Sequence, residues 1–222
     1  EIALSAFAKS GDVITPIDWN GRDDKAREEL GYPGPMNYEK STLEAFTHPT
    51  LRDVRKKIKG KQLLKYHDHC TASRARFHLG KKYWEQLTKV SIVRNPWDYL
   101  VSSYYWGNRK REKLPDFQSW CLENISLANR NNRQYFIGNR CVIDRFIRYE
   151  NFGDDLVALE EEFESLSGLA EKFSGMSAKK GIRPKSGPSV AELFSEAPKV
   201  DRLIRRKCRF EIETFGYKGP AL

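Results

Sequence analysis

An arginine that closes an apolar run, with a serine eight residues further on, suits the capture of an anion. In "SIVRNPWDYLVSSYYW" (91–106), Arg94 follows Ile92 and Val93, and Asn95-Pro96 leads into an aromatic helix that carries Ser102. Asn95 can cap that helix, and Pro96 suits its first position, where no amide donor is needed. A helix amino terminus holds free N–H groups and partial positive charge. A guanidinium at the strand end and a hydroxyl two turns into the helix can therefore converge on one oxyanion, and a phosphate fits best. His67 and His69 offer proton chemistry, because histidine titrates near neutral pH and can take a hydroxyl proton and release it. A metal set of His67, His69 and Cys70 matches no strong zinc spacing.

These residues need elements to hold them. "TKVSIVR" (88–94) reads as a strand buried through Val90, Ile92 and Val93, and 96–109 as the helix after it. "KQLLKYHDH" (61–69) reads as a second strand, on which the period of two puts His67 and His69 on one face and leaves either as the base. "CVIDRFIRYE" (141–150) is a third, rich in β-branched and aromatic residues. Helices are expected over 1–8, 49–60, in two short pieces broken at Gly80, over 154–168, and in one long run over 199–217 ending at Gly216. The helix over 154–168 would bury Leu156, Leu159 and Phe163. Strands alternating with helices predict an α/β fold, a parallel sheet covered on both faces, with ligands beyond the carboxyl ends of its strands.

Composition bounds the class. The chain has 222 residues, 39% hydrophobic and 12% aromatic, enough for one large domain over 1–222. The net charge of +9 implies an anionic partner. The four cysteines form no CxxC pair, which fits a reducing compartment and suggests neither a zinc site nor a disulfide framework. No apolar run reaches the length of a membrane span, and the first residues lack a signal-peptide layout. No helix-turn-helix, RRM or zinc pattern supports nucleic-acid binding, and no GxxxxGK[ST] supports a nucleotide kinase.

"VRNPWDYLVSSYYW" resembles the 3′-phosphate-binding motif of sulfotransferases that use 3′-phosphoadenosine 5′-phosphosulfate (PAPS), and is closest in form to the bacterial and carbohydrate members of sulfotransferase family 2. The similarity extends to "EIALSAF", "YHDHCTASRARFHLG", "IDRFIRYENF" and "CRFEIETFGY". It implies a P-loop NTPase-like sulfotransferase fold, Arg94 and Ser102 on the 3′-phosphate, His69 as the base favoured over His67, and Tyr149 against the adenine. "KKGIRPKSG" (179–187) is similar to segments that close over the 3′-phosphate, with Lys180 and Arg183 as its contacts. The expected reaction moves a sulfuryl group from PAPS, without a metal, to a hydroxyl of a carbohydrate or glycolipid. Exposed aromatics such as Trp106 can stack on sugars, and 12–50 and 107–140 are the expected acceptor-facing insertions. The family's Lys-Thr-Gly-Thr-like phosphosulfate loop would precede Glu1, so the chain is expected to be a piece that begins after it. If the loop is truly absent, a non-catalytic nucleotide- or acidic-glycan-binding protein on the same fold is the alternative. The expected compartment is the bacterial cytoplasm, or the Golgi lumen for a truncated eukaryotic chain.

Overall fold

The computed structural model describes residues 1–17, 22–41, 58, 63–174, 182–184 and 186–220. Among these the elements begin with α1 (Ile2–Ser5), α2 (Arg22–Glu29), α3 (Ala72–Leu79) and α4 (Lys81–Gln86). Strand β1 (Val90–Val93) leads into α5 (Pro96–Asn108), then α6 (Phe117–Glu123) and α7 (Asn132–Tyr135). Next come β2 (Phe136–Ile137), β3 (Arg140–Cys141), β4 (Arg145–Arg148) and α8 (Phe152–Glu162). The chain closes with α9 (Leu169–Ser174), α10 (Val190–Ser195), α11 (Pro198–Lys207) and α12 (Arg209–Phe215). The result is a mixed α/β protein with a small parallel sheet flanked by helices. Its contacts group into two compact units, one of residues 1–88, 133–142 and 157–173, the other of 89–132, 143–156 and 174–222.

The second unit holds the parallel pair. β1 pairs with β4 in the register Val90↔Arg145 through Val93↔Arg148. Side chains alternate across a strand, so Val93 is fully buried while Val90 and Ile92, on the other face, stay 39% and 46% exposed. The expectation that all three are buried is corrected on that ground. On α5 the residues Trp97, Leu100, Val101, Tyr104, Tyr105 and Asn108 are buried, a stripe at the helical repeat. All but Asn108, whose amide donates to the Tyr104 carbonyl at 2.8 Å, pack with Phe117 and Cys121 of α6, Phe194 of α10, and Val200 and Ile204 of α11 into one core. Two of the polar groups its aromatic residues carry inward are satisfied: the Trp97 indole N–H donates to Asp201 at 2.8 Å, and the Tyr104 hydroxyl to the Pro115 carbonyl at 2.7 Å. Phe146 of β4 meets Phe215 of α12 edge to face, with ring centroids 5.1 Å apart, which seats α12 against the strand. The long final helix expected over 199–217 is two, because the backbone at Cys208 (φ −109°, ψ 29°) leaves helical geometry. There Cys208 turns its thiol to the Ala128 carbonyl at 3.4 Å.

The first unit is mostly helix and irregular chain. Of the strand expected over 61–69, residues 63–69 are described, and among them only Leu64 pairs, in an isolated antiparallel bridge with Glu39, before the chain turns. Tyr66, Ala72, Tyr135, Leu159 and Leu169 are among its buried residues. Arg27 is also buried, held by Asp24 at 2.9 Å. Only Arg140–Cys141 and Arg145–Arg148 of the run 141–150 and its preceding residue are strands, and they belong to different sheets. The helix expected over 154–168 starts at Phe152 and ends at Glu162; it buries Leu156 and Leu159 as anticipated, but Phe163 falls just past its end in extended backbone and is only half-buried. The first helix covers Ile2–Ser5 rather than 1–8. Apart from Ile58, the helix expected over 49–60 lies outside the described residues.

Candidate functional site

The parallel register builds the site. Because Val93 lies opposite Arg148, the next residues, Arg94 and Tyr149, leave the sheet side by side. The Arg94 guanidinium lies over the Tyr149 ring at 4.0 Å from its centroid, a cation–π contact. One residue further on, the Asn95 backbone N–H donates to Glu150 Oε1 at 2.6 Å, and the Tyr217 hydroxyl donates to Glu150 Oε2 at 2.9 Å. The two strand ends and the segment after α12 are thus tied at one point. Asn95 also caps α5, its side-chain oxygen accepting from the N–H groups of Trp97 at 3.0 Å and Asp98 at 3.4 Å, with Pro96 at the first helical position.

Arg183 joins the cluster from a distant part of the chain. Ile182 packs against the core of the second unit, and Gly187 N–H donates to the Pro184 carbonyl at 3.2 Å. Arg183 Nη1 then donates to Asp98 Oδ1 at 3.1 Å, while Arg94 Nε donates to Asp98 Oδ2 at 2.8 Å. Ser102 follows Asp98 by four residues, on the helix stripe left outside the core, and is half-buried. Arg94, Tyr149 and Arg183 are therefore brought together, with Ser102 on the same helix as their shared carboxylate. Lys180 lies outside the described residues.

His69 is placed in the first unit, in a turn rather than at a strand end. Its φ of +52° is left-handed, a conformation that costs a non-glycine residue about 1 kcal/mol. The period-two argument that set His67 and His69 on one face does not hold in a turn, and His67 Nδ1 is instead bonded to the Asp68 carbonyl at 2.6 Å. The turn is anchored from both sides: Thr71 caps α3, and Arg74 donates to the carbonyls of Lys65 at 3.0 Å and Leu64 at 2.6 Å. Burial raises the pKa of the neighbouring Cys70 thiol. Among the described residues no group of three or more His, Cys, Asp or Glu side chains is gathered for a metal. Trp106 is exposed, but the Arg109 guanidinium covers one face of its ring at 4.0 Å.

Asp98, Glu150 and Tyr217 were not singled out from the sequence. Asp98 had a local signal, an acid four residues after an arginine in a first helical turn. Glu150 lies inside the quoted "IDRFIRYENF", but nothing local marks what it binds, since its partners lie 55 and 67 residues away. Comparison with family models, curated proteins and solved structures returned no match. No helix among the described residues is long and apolar enough to cross a membrane.

Proposed function

We propose that the chain is a sulfotransferase that holds the 3′-phosphate of PAPS with Arg94, Ser102 and Arg183 and serves a hydroxyl of a saccharide acceptor. On this reading the parallel pair belongs to a P-loop-like sulfotransferase domain over 1–222. The observation that carries it is the meeting of Arg94, Arg183 and Tyr149 at the junction of β1, β4 and α5. Two guanidinium groups beside a helix amino terminus suit a phosphate. Tyr149, 52% exposed beyond its contact with Arg94, suits an adenine. These are the two chemical groups that set a 3′-phosphorylated adenine nucleotide apart from most anions. The donor, when bound, supplies the sulfuryl group. Arg94 and Arg183 hold and neutralise the phosphate, Ser102 adds a neutral donor, and Tyr149 orients the base. The resemblance assigns the acceptor's hydroxyl proton to His69, a residue of the first unit.

Calorimetry with adenosine 3′,5′-bisphosphate and adenosine 5′-phosphate tests the site. The bisphosphate binds tighter, Arg94→Ala costs about 1.5–3 kcal/mol, and Ser102→Ala costs less. Equal affinity for the two nucleotides rules out the 3′-phosphate role. Labelled PAPS with a panel of oligosaccharides tests the reaction. Transfer that falls about 10²–10⁴-fold in His69→Ala, with bisphosphate affinity kept, supports the assigned base. Binding without transfer to any acceptor favours the non-catalytic alternative.

A further inference from the structure

Asp98 stands where an incoming oxyanion would make its contacts. Its Oδ2 accepts from Arg94 Nε at 2.8 Å and Nη2 at 2.5 Å, and its Oδ1 accepts from Arg183 Nη1 at 3.1 Å. The Nε–Nη2 edge is one of the edges with which a guanidinium grips a carboxylate or phosphate by two parallel bonds. Both arginines share this single carboxylate, so the three side chains carry one net positive charge rather than two. Stacking on Tyr149 holds the Arg94 plane in place while that edge is occupied. Asp98 also sits in the first turn of α5, where the helix dipole favours a negative charge, and its side chain is 31% exposed. The carboxylate therefore has a second favourable setting, toward water and the helix amino terminus, once the guanidinium groups turn to another anion.

We propose that Asp98 is a built-in competitor for the bound anion, exchanging with the ligand's phosphate on Arg94 and Arg183 and thereby limiting how tightly and how long the phosphate is held. The identity of the ligand rests on the proposed 3′-phosphate site; the competition does not. The consequence for a transferase is direct. The spent donor leaves with the same 3′-phosphate that the fresh donor brought, and a site with two uncompensated guanidinium groups would stall at release. Asp98 acts through the arginines and is a positioning residue, not a catalytic one.

The test measures affinity and dissociation rate for adenosine 3′,5′-bisphosphate and, separately, inorganic pyrophosphate, with the full chain as wild type, Asp98→Asn and Asp98→Ser. Removing the carboxylate tightens bisphosphate binding on the order of tenfold, mostly through slower dissociation. The gain vanishes when Arg94→Ala is combined with Asp98→Asn. A merely structural role would loosen binding, so weaker or unchanged affinity in a folded variant overturns the proposal. The wild-type chain provides a check that needs no variant to fold: saturating bisphosphate moves the Asp98 carboxyl ¹³C resonance toward that of a solvated carboxylate, and an unmoved resonance counts against the exchange. Pyrophosphate tightened by Asp98→Asn, with bisphosphate bound by no form, removes the nucleotide reading and leaves the competition standing. Bisphosphate bound equally by wild type and variants does the reverse. No binding of either anion by any form overturns both.

Discussion

Carboxylates clasped by guanidinium groups recur through the second unit: Asp98 with Arg94 and Arg183, Asp201 with Arg205, and Asp155 with Arg148. Their energetic weight differs with what else the carboxylate accepts. Asp155 takes hydrogen bonds from the Arg148 side chain at 2.6 and 2.9 Å, the Arg148 backbone N–H at 2.7 Å and the Asn151 amide at 2.9 Å. The Arg148 side-chain bonds, before anything else, hold its carboxyl well below the usual carboxylate range. A depressed folded pKa contributes stability above the unfolded value of about 4, and that contribution fades as pH falls through the folded value. Asp155→Asn should therefore destabilise the chain by about 1–2 kcal/mol at pH 7, with the gap narrowing below pH 4. Urea unfolding of both forms at the two pH values measures it, and a gap that does not change with pH would refute the linkage.

Helix α5 is the element on which the site depends, and its entry is braced from outside itself. Asn95 caps it locally, but Trp97 in its first turn is locked by Asp201 of α11 and approached by the segment after α12. Gly216 ends α12 in the left-handed region at φ +65°, turning the chain back. Gly219 then passes so close that an added Cβ would lie 2.9 Å from the Trp97 ring and 2.5 Å from Arg205 Nη2. The arginine tip can move aside, whereas the indole is 1% exposed and fixed by its hydrogen bond. Gly219→Ala is expected to cost about 1–3 kcal/mol by overpacking and to weaken bisphosphate binding, since the displaced segment carries Tyr217 and its bond to Glu150. Thermal unfolding and calorimetry on the same variant read the two effects. An unchanged melting temperature would show that the segment is not seated on Trp97.

Across the whole molecule the four cysteines are free, and they divide by burial. Cys121 and Cys208, both fully buried in the core of the second unit, have thiols pushed up to about 12 by burial. Cys70 and Cys141, both in the first unit, are only partly covered. Because the thiolate is the reactive form, a chromogenic disulfide at neutral pH should titrate two thiols in the folded chain and four in denaturant. The two slow thiols then report opening of the second unit. Rapid reaction of all four under native conditions would mean that this core is far less stable than its packing implies.

Local spacing alone determined the strand–helix junction. The apolar run to Val93, the Asn95 cap, Pro96 at the first helical position and the aromatic stripe of α5 all depend on neighbours within a few residues. The breaks at Gly80 and Gly216 were legible for the same reason. His69 was misplaced because β-propensity in 61–69 is a weak local preference, and after the Leu64–Glu39 bridge the chain closes on the Tyr38 carbonyl through the N–H groups of Lys65 and Tyr66 and turns before His69. Chain spacing likewise could not show that Arg94 stacks on Tyr149, that Arg183 and Arg94 share Asp98, or that Glu150 joins Asn95 to Tyr217. Those contacts span 55, 85, 55 and 67 residues and arise only when the β1–β4 register and the loop after 181 bring strand ends, helix entry and basic side chains to one place. Propensities and caps are set by nearest neighbours along the chain, whereas the charge balance of an anion site is set by neighbours in space, and tertiary structure decides who they are.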